Sequence, residues 1–470
     1  MPDLLKLYHR FPYPLRVLAA TARGTYLRSW RYGPETEQMV QAVREREAWS
    51  AEQWQAWQGE QLAHLLHRAA TQVPYYRALW AARRRKGDKA AWEYVEHWPI
   101  LEKEALRTQP AAFVADDCNP RHMFHEHTSG TTGKSLDLWW SQATVRAWYA
   151  LFEVRCRRWY GVSRQQRWAI LGGQLVTPVT QRRPPFWVWN AGLNQLYMSS
   201  YHLASDLIPH YLDALVRHRI TYLWGYTSSL YALAQEVIRS RRRDLKFAVV
   251  ITNAEPLFSY QRDVIAEAFQ CPVRETYGMA EIVAAASECE AGHLHLWPEV
   301  GIIEIVKDGI GSAEQTGELV ATGLLNADMP LIRYRVGDRA TLPTSAVTCS
   351  CGRHLPILSA IEGRVDDVLY MADGRSIGRL DPVFKAQLPV REAQIIQETI
   401  NCFRIRYVPT AEFTRQAGNS IIERLQARLG QVEVVLEEVS EVPREQNGKY
   451  RAVISKLSVD ERQAVTQKSQ

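Results

Sequence analysis

Thr128-Ser129-Gly130-Thr131-Thr132-Gly133-Lys134-Ser135 is the stretch of this 470-residue sequence that decides its fold class. Gly130 and Gly133 can adopt positive φ, so the backbone can approach a ligand closely. The hydroxyl and amide groups offer donors, and Lys134 offers a positive charge. These properties predict a loop that wraps a polyphosphate. A hairpin turn with an ordinary surface lysine has a similar composition, so other segments must decide.

The stretch is not a P-loop. That motif needs four residues between its glycines and a helix directly after the lysine, whereas only two residues separate Gly130 from Gly133. Residues 136–140 alternate apolar and polar side chains before a closing Trp pair. The pattern therefore predicts a strand, a loop and a second strand.

Length and composition restrict the class of protein. A chain of 470 residues is too long for one compact core, so two or three domains are expected. The apolar content of 46% and the charged content of 23% are ordinary for a globular protein. The net charge of +6 is too small to indicate a nucleic-acid-binding protein, and no nucleic-acid partner is expected.

The number of cysteines and the hydropathy of the chain indicate the compartment in which the protein is expected. Seven cysteines are an odd number and are widely spread, which disfavours a disulfide framework and favours the cytoplasm. No run approaches the roughly 20 apolar residues that span a bilayer. Residues 4–30 mix aromatic and basic side chains, which is compatible with peripheral contact at the inner membrane surface. A helix docked on the protein itself has the same composition, and docking is the favoured interpretation.

The order of predicted elements indicates an α/β protein. Residues 36–90 have a helical pattern, and residues 124–306 alternate strand-like runs with helical segments. Short strands follow after residue 302, and a third region begins near Gly363.

Three strand-like runs lead into polar turns, and ligands collect beyond the carboxyl ends of strands in open α/β sheets. The runs are residues 247–252, 273–276 and 331–335, and the turns that follow are residues 253–256, 277–281 and 336–338. Tyr277 offers a flat ring for a base, Glu281 a carboxylate for Mg²⁺, and Asp338 an acceptor for a ribose diol. Ring packing, an ordinary ion pair and a turn cap are the alternative interpretations of these three residues.

The motifs occur in an order that resembles the adenylate-forming superfamily of acyl- and aryl-coenzyme A ligases. They are Ser-Gly-Thr-Thr-Gly-Lys (129–134), Tyr-Gly-x-x-Glu (277–281), Tyr-Arg-x-Gly-Asp (334–338), Gly-Arg-x-Asp-Asp (363–367) and Asn-Gly-Lys-x-Arg (447–451). Residues 73–77, 99–104 and 349–353 resemble the phenylacetate-coenzyme A ligase branch. Residues 394–398 and 447–449 resemble its members associated with capsule and exopolysaccharide biosynthesis.

The resemblance implies an α/β fold with a large multi-sheet N-terminal domain and a small mobile α+β C-terminal domain. Residues 1–120 would be a helical region packed on the large domain. Residues 121–362 would form the large nucleotide- and substrate-binding domain, and residues 363–470 the small one. Asp366 falls where the family places the hinge between them.

The resemblance also implies a role for each motif residue. Ser129, Gly130, Thr131, Thr132, Gly133 and Lys134 would hold the β- and γ-phosphates, Ala254 and Glu255 the adenine edge, Tyr277 with Gly278 its face, Glu281 the Mg²⁺, and Asp338 and Arg364 the ribose. Lys134, Glu281 and Lys449 would be catalytic.

Lys449 would be the mobile catalyst. It would neutralise the charge that develops as a substrate carboxylate attacks the α-phosphorus of ATP. Without the other motifs, an exposed turn lysine is the alternative interpretation of Lys449. Ala280 departs from the family pattern, because many relatives carry Thr or Ser there.

Cysteine and histidine side chains suggest a second metal site. Cys289, His295, Cys349 and Cys351 form two short pairs whose thiolates and imidazole suit Zn²⁺. Their spacing is not that of a standard zinc finger, so free thiols are the alternative, and His293 or His354 can substitute as the ligand. A site filled by four protein ligands would be structural.

The resemblance therefore implies an AMP-forming acid–thiol ligase that uses ATP and Mg²⁺, activates a small carboxylic acid and transfers the acyl group to coenzyme A. Transfer to a saccharide amine or hydroxyl is the second possibility. A degenerate nucleotide-binding partner of an envelope-polymer machine is the third, since Ala280 departs from the pattern.

Overall fold

A computed structural model of the chain describes residues 2–127, 136–204, 206–255, 257, 259–307, 315–343, 347–362, 369–373, 376–377, 388–440, 442, 453–458 and 461. The helices are α1 Pro2–Arg10, α2 Tyr13–Arg31, α3 Thr36–Arg46, α4 Ala51–Gln72, α5 Pro74–Arg85, α6 Lys103–Thr108, α7 Gln142–Arg155, α8 Ile208–Arg217, α9 Thr227–Arg239, α10 Ser259–Phe269 and α11 Arg415–Leu429.

The strands up to residue 300 are β1 Phe124–His127, β2 Asp137–Trp140, β3 Trp168–Gly172, β4 Trp187–Asn190, β5 Gln195–Ser199, β6 Tyr222–Tyr226, β7 Val250–Asn253, β8 Val273–Gly278, β9 Ala285–Glu288 and β10 Leu294–Leu296. The later strands are β11 Gly301–Lys307, β12 Gln315–Gly323, β13 Tyr334–Leu342, β14 Ile357–Leu358, β15 Ala360–Glu362, β16 Leu369–Tyr370, β17 Ser376–Ile377, β18 Val390–Gln397, β19 Cys402–Pro409, β20 Glu433–Glu438 and β21 Val453–Ser455.

A nine-stranded sheet forms the centre of the molecule, in the order β14-β10-β9-β8-β7-β6-β3-β5-β4. Strands β5, β3, β6, β7 and β8 run parallel, and antiparallel strands flank them. Both faces of the parallel part are covered, because α7 packs with β6 and β7 on one side while α8, α9 and α10 pack on the other. This burial explains why β3 and β6 are nearly continuous apolar runs.

Four smaller sheets complete the described part of the fold, and one of them is the two-stranded pair of β16 and β17. Strands β11, β12, β13 and β15 form an antiparallel sheet, and β1 and β2 form a hairpin. Strands β20, β19, β18 and β21 form a separate sheet near the C-terminus, with a core that includes Ile395, Phe403, Ile405, Ile421 and Leu425. The α/β class and the C-terminal α+β unit are thus confirmed, while the domain boundaries and the mobility stay predictions.

Two strand ends differ from the sequence-based expectation. The predicted turn at residues 277–281 begins later, because Tyr277 and Gly278 continue β8 by pairing with β9. The predicted turn at residues 336–338 is wrong, because these residues lie inside β13. At the first place the chain leaves β7 and continues beside β9, and at the second β13 stays paired with β12 on both sides of a bulge, neither of which a local pattern reveals.

The N-terminal helices pack on the body of the protein. Helix α2 lies against α7, β4 and the short turn that follows β4. At Gly24 a Cβ atom would overlap with the side chain of Asn190, so glycine permits this close approach. Among the described residues, no helix is both long enough and apolar enough to cross a membrane.

Candidate active site

The carboxyl ends of β7 and β8 lie side by side. The two strands are parallel, with Thr252 opposite Glu275, and the hydroxyl of Thr276 donates a hydrogen bond to the carbonyl of Thr252 at 2.8 Å. Residues 253–255 and 276–278 therefore meet where these strands end, which we call the carboxyl edge of the sheet. This is the edge at which open α/β folds bind ligands.

Tyr277 and Asp338 contact each other at this edge. The phenol of Tyr277 donates to Oδ2 of Asp338 at 2.8 Å, although 61 residues separate them. A bulge in β13 makes the contact possible, because residues 336–338 stand opposite the single residue Leu319 of β12. Gly337 has φ 84°, a conformation that favours glycine, and such bulges redirect neighbouring side chains.

Glu281 lies in the turn after β8, with a side chain only 9% exposed. The phenol of Tyr334 donates to its Oε1 at 2.9 Å, and Nζ of Lys103 lies 4.0 Å from the same oxygen. Backbone pairing of Leu101 with β13 positions Lys103, because the N–H of Leu101 donates to the carbonyl of Arg333 at 2.8 Å. A carboxylate held in this way fits one ligand of a Mg²⁺ ion whose other ligands come from phosphate and water.

Ala254 is in a left-handed conformation, with φ 64°. Such a φ is uncommon for residues other than glycine, and strained backbone tends to occur at functional sites. The hydroxyl of Thr227 donates to the carbonyl of the next residue, Glu255, at 3.2 Å and helps to fix the turn. The turn therefore holds exposed Ala254 beside the end of β8.

Glu275 is a titratable side chain of this edge that was not predicted from the sequence. Burial raises its pKa to about 7, and repulsion from Glu288 contributes, while Arg262 and a hydrogen bond from the backbone N–H of Leu257 act in the opposite direction. Leu257 follows the Ala254 turn, so the Glu275 carboxyl joins β8 to that turn.

The remaining predicted site residues lie outside the described residues. They are the loop residues 129–134, Arg364, the hinge residue Asp366 and the catalytic Lys449. The strands on either side of the loop are described and form the antiparallel hairpin expected from the sequence. At the start of β2, Oδ1 of Asp137 lies 3.0 Å from Nε2 of His125 and 2.9 Å from Nδ1 of His127.

The four predicted zinc ligands lie together. One ligand atom each from Cys289, His295, Cys349 and Cys351 falls within 4.8 Å of the others. Nε2 of His295 is 3.4 Å from Sγ of Cys351, and its Nδ1 is 3.0 Å from the carbonyl of Leu355. A backbone carbonyl on the far ring nitrogen is the usual way in which a metal-binding histidine is oriented.

The donor set of this cluster fits zinc. Three thiols and one imidazole match a closed structural site. Burial lowers the pKa of His295, which favours the neutral imidazole that metals bind. The cluster connects β9 and β10 of the central sheet to the loop before β14. Nδ1 of His293 also lies 3.3 Å from Sγ of Cys349, so His293 is a neighbour of the cluster.

Sequence patterns gave little indication of Lys103, Tyr334 and Glu275 as parts of the site. Tyr334 and Lys103 lie within quoted motifs, at 334–338 and 99–104, but local spacing does not show that both approach Glu281. Glu275 precedes the Tyr-Gly motif by one residue, and only the packed structure shows its burial.

The C-terminal part of the chain matches a known family. Residues 369–456 match the family model described as the CapK C-terminal domain. Protein CapK of Staphylococcus aureus is 25% identical over 381 residues, which cover 79% of this chain and 82% of that protein.

Two curated relatives are named phenylacetate-coenzyme A ligase. The protein of Pseudomonas putida is 26% identical over 333 residues, or 66% of this chain and 71% of the relative. The protein of Thermus thermophilus is 31% identical over 135 residues, or 27% of this chain and 30% of the relative.

A solved structure of 2-hydroxyisobutyryl-CoA ligase has the same fold. In its complex with 2-HIB-AMP and CoA, it superposes with a TM-score of 0.54 at 19% identity, covering 90% of this chain and 94% of that one. At this identity the likeness concerns the fold, which is that of an adenylate-forming ligase.

Proposed function

We propose that this chain, a member of the adenylate-forming superfamily, activates a carboxylic acid with ATP and transfers the acyl group to coenzyme A. The observation that carries the proposal is the convergence of Ala254, Tyr277, Glu281 and Asp338 at the carboxyl edge of the central sheet. These residues offer contacts for a base, a ribose and a metal-bound phosphate.

In the first half-reaction a carboxylate oxygen of the substrate attacks the α-phosphorus of ATP. The bond to the β-phosphate breaks, pyrophosphate leaves, and an acyl-adenylate forms. In our proposal Tyr277 stacks on the adenine and Asp338 accepts from the ribose hydroxyls. Lys134 and Lys449 place positive charge where negative charge develops in the transition state.

Glu281 would hold the Mg²⁺ that the superfamily uses, which screens the phosphate charges. The phenol of Tyr334 positions its carboxylate, so the chain fixes this ligand before ATP arrives, while the ammonium of Lys103 lies 4.0 Å away. The Cys289, His295, Cys349 and Cys351 cluster would hold a structural zinc ion with no role in the chemistry.

In the second half-reaction the sulfur of coenzyme A attacks the acyl carbon. The bond to AMP breaks, AMP leaves with the bonding electrons, and the thiol proton passes to solvent. The branch resemblance to polysaccharide-associated members supports a second acceptor, an amine or hydroxyl of a saccharide. The cytoplasm, with peripheral contact to the inner membrane, is the location that we propose.

Acid-dependent exchange of labelled pyrophosphate into ATP tests the first half-reaction. A panel of aryl, hydroxy and fatty acids should contain at least one acid that supports exchange. Replacement of Lys449 with alanine should lower that exchange by about 10²- to 10³-fold. The control is Lys456→Ala, which removes an exposed lysine paired with Glu398.

Two outcomes would overturn parts of the proposal. ATP binding without exchange for any acid would make the chain a nucleotide-binding assembly partner. Full exchange in the Lys449 variant would remove that lysine as the catalyst. Mass spectrometry of products with coenzyme A, with a saccharide acceptor and with neither then distinguishes the two acceptor classes.

A further inference from the structure

The first two helices turn polar side chains toward the protein. The phenol of Tyr8 donates to the carbonyl of Val176 at 3.1 Å, and Nε2 of His9 lies 2.8 Å from the carbonyl of Leu175. Arg16 donates to the hydroxyl of Thr177 at 2.9 Å. Together with the close approach at Gly24, these contacts fix the orientation of both helices.

Leucines of the same two helices face the solvent. Leu4 is 70% exposed, Leu7 50%, Leu15 45% and Leu18 63%. Tyr26 is 54% exposed and continues the row on α2, since residues 15, 18, 22 and 26 follow the helical repeat. Of the ten large apolar side chains that are exposed in the described part of the chain, six lie between residues 4 and 26. Exposed apolar side chains that cluster in this way mark an interaction surface.

The same segment carries a net positive charge. Residues 2–34 contain Lys6 and five arginines but only one acidic residue, Asp3. Arg10, Arg23 and Arg28 are exposed, and none of them pairs with an acidic group of the described residues. The leucine row is therefore accompanied by unneutralised positive charge.

We propose that α1 and α2 form a docking surface for an anionic lipid bilayer. Leucines that enter the acyl boundary and arginines that contact anionic headgroups are the two components of interfacial helix binding. A second copy of this chain is a poorer occupant, because its surface carries the same positive charge and like charges oppose association. The proposal deepens the proposed peripheral location and is independent of the proposed reaction.

Vesicle sedimentation tests the surface with the full-length protein. The protein should sediment with phosphatidylcholine vesicles that contain about 30% phosphatidylglycerol and much less with pure phosphatidylcholine. A variant with Leu4→Ser, Leu7→Ser, Leu15→Ser and Leu18→Ser should bind at least about tenfold more weakly, because the exposed leucines supply the apolar term. A variant with Arg10→Gln, Arg23→Gln and Arg28→Gln should lose the preference for anionic vesicles and the sensitivity to salt.

The matched control is Val216→Ser with Ile238→Ser, which removes two exposed apolar side chains of α8 and α9 and should bind as the wild type does. Thermal unfolding and pyrophosphate exchange without vesicles confirm that each variant is folded. If the wild type binds vesicles but supports no exchange, the proposed reaction is wrong and the proposed docking surface is unaffected. Equal binding by the leucine variant would overturn the proposal. A wild type that ignores vesicles but forms a dimer, or binds a membrane protein, through these leucines would overturn it too.

Discussion

The phenol oxygen of Tyr277 lies 2.8 Å from Oδ2 of Asp338, and this hydrogen bond joins the end of β8 to the bulge in β13. The bond thereby links the nine-stranded sheet to the four-stranded sheet, which is formed by a later part of the chain. If Asp338 accepts from ribose hydroxyls, Tyr277 fixes the orientation of the carboxylate that does so.

Replacement of Tyr277 with phenylalanine should raise KM for ATP about fivefold, with little change in kcat. The ring stays in place, but the lost hydrogen bond, worth about 1 kcal/mol, lets the Asp338 carboxylate rotate. The measurement is pyrophosphate exchange at varied ATP. Tyr160→Phe is the control, because it removes a phenol bound to the carbonyl of Glu288. A lower melting temperature with unchanged KM would mean that the contact is only structural.

Replacement of Lys103 with methionine should lower the Mg²⁺ concentration that gives half-maximal activity about fivefold. The ammonium lies 4.0 Å from the Glu281 carboxylate and therefore repels a cation bound there, by about 1 kcal/mol at high dielectric. A Mg²⁺ titration of pyrophosphate exchange measures the change. Lys6→Met, at an exposed lysine near Glu423, should leave the titration unchanged. A higher Mg²⁺ requirement in the Lys103 variant would contradict the assignment of Glu281.

Replacement of Cys351 with serine should release a bound zinc ion. Serine is a poor zinc ligand, and the protein loses the stabilisation that a metal bound only to the folded state provides, about 3 kcal/mol or more. Elemental analysis should find one zinc per wild-type chain and much less in the variant, which should also unfold at a lower temperature. Cys402→Ser, in β19 outside the cluster, should keep the metal. A metal-free wild type with reduced thiols would show that the cluster is not a zinc site.

Local patterns were sufficient for the parts of the fold that depend on short-range periodicity. The strand after residues 128–135 follows from the alternating side chains of residues 136–140, and β2 lies there, paired with β1. The cysteine and histidine pairs were found because few residue types bind zinc, so their convergence could be expected without coordinates.

Local patterns failed where distant strands determine the structure. Asp338 was expected in a turn, yet pairing with β12 continues β13 through it, and only the bulge turns its side chain toward Tyr277. The approach of Lys103 to Glu281 depends on backbone pairing of Leu101 with β13. Neither the contact of Asp338 with Tyr277 nor the approach of Lys103 to Glu281 can be inferred from the spacing of residues along the sequence.

The raised pKa of Glu275 makes stability depend on pH. The carboxyl has a pKa near 4.5 when unfolded and about 7 when folded, chiefly because burial penalises its charged form. Between these values the folded protein binds more protons than the unfolded chain, so a rise in pH destabilises the fold. The loss begins near pH 4.5, is complete just above pH 7 and is at most about 3 kcal/mol.

Replacement of Glu275 with glutamine should remove this loss, because the amide is neutral at every pH and can still accept the hydrogen bond from Leu257. Urea unfolding at pH 5, 6, 7 and 8 should show that the variant gains stability relative to the wild type as pH rises, and that the difference is constant above about pH 7.5. Glu267→Gln, on the exposed face of α10, should give a curve parallel to the wild type. A Glu275 variant whose curve is also parallel would mean that the carboxyl ionises near its ordinary pKa, and that the turn after β7 is not held by a neutral acid.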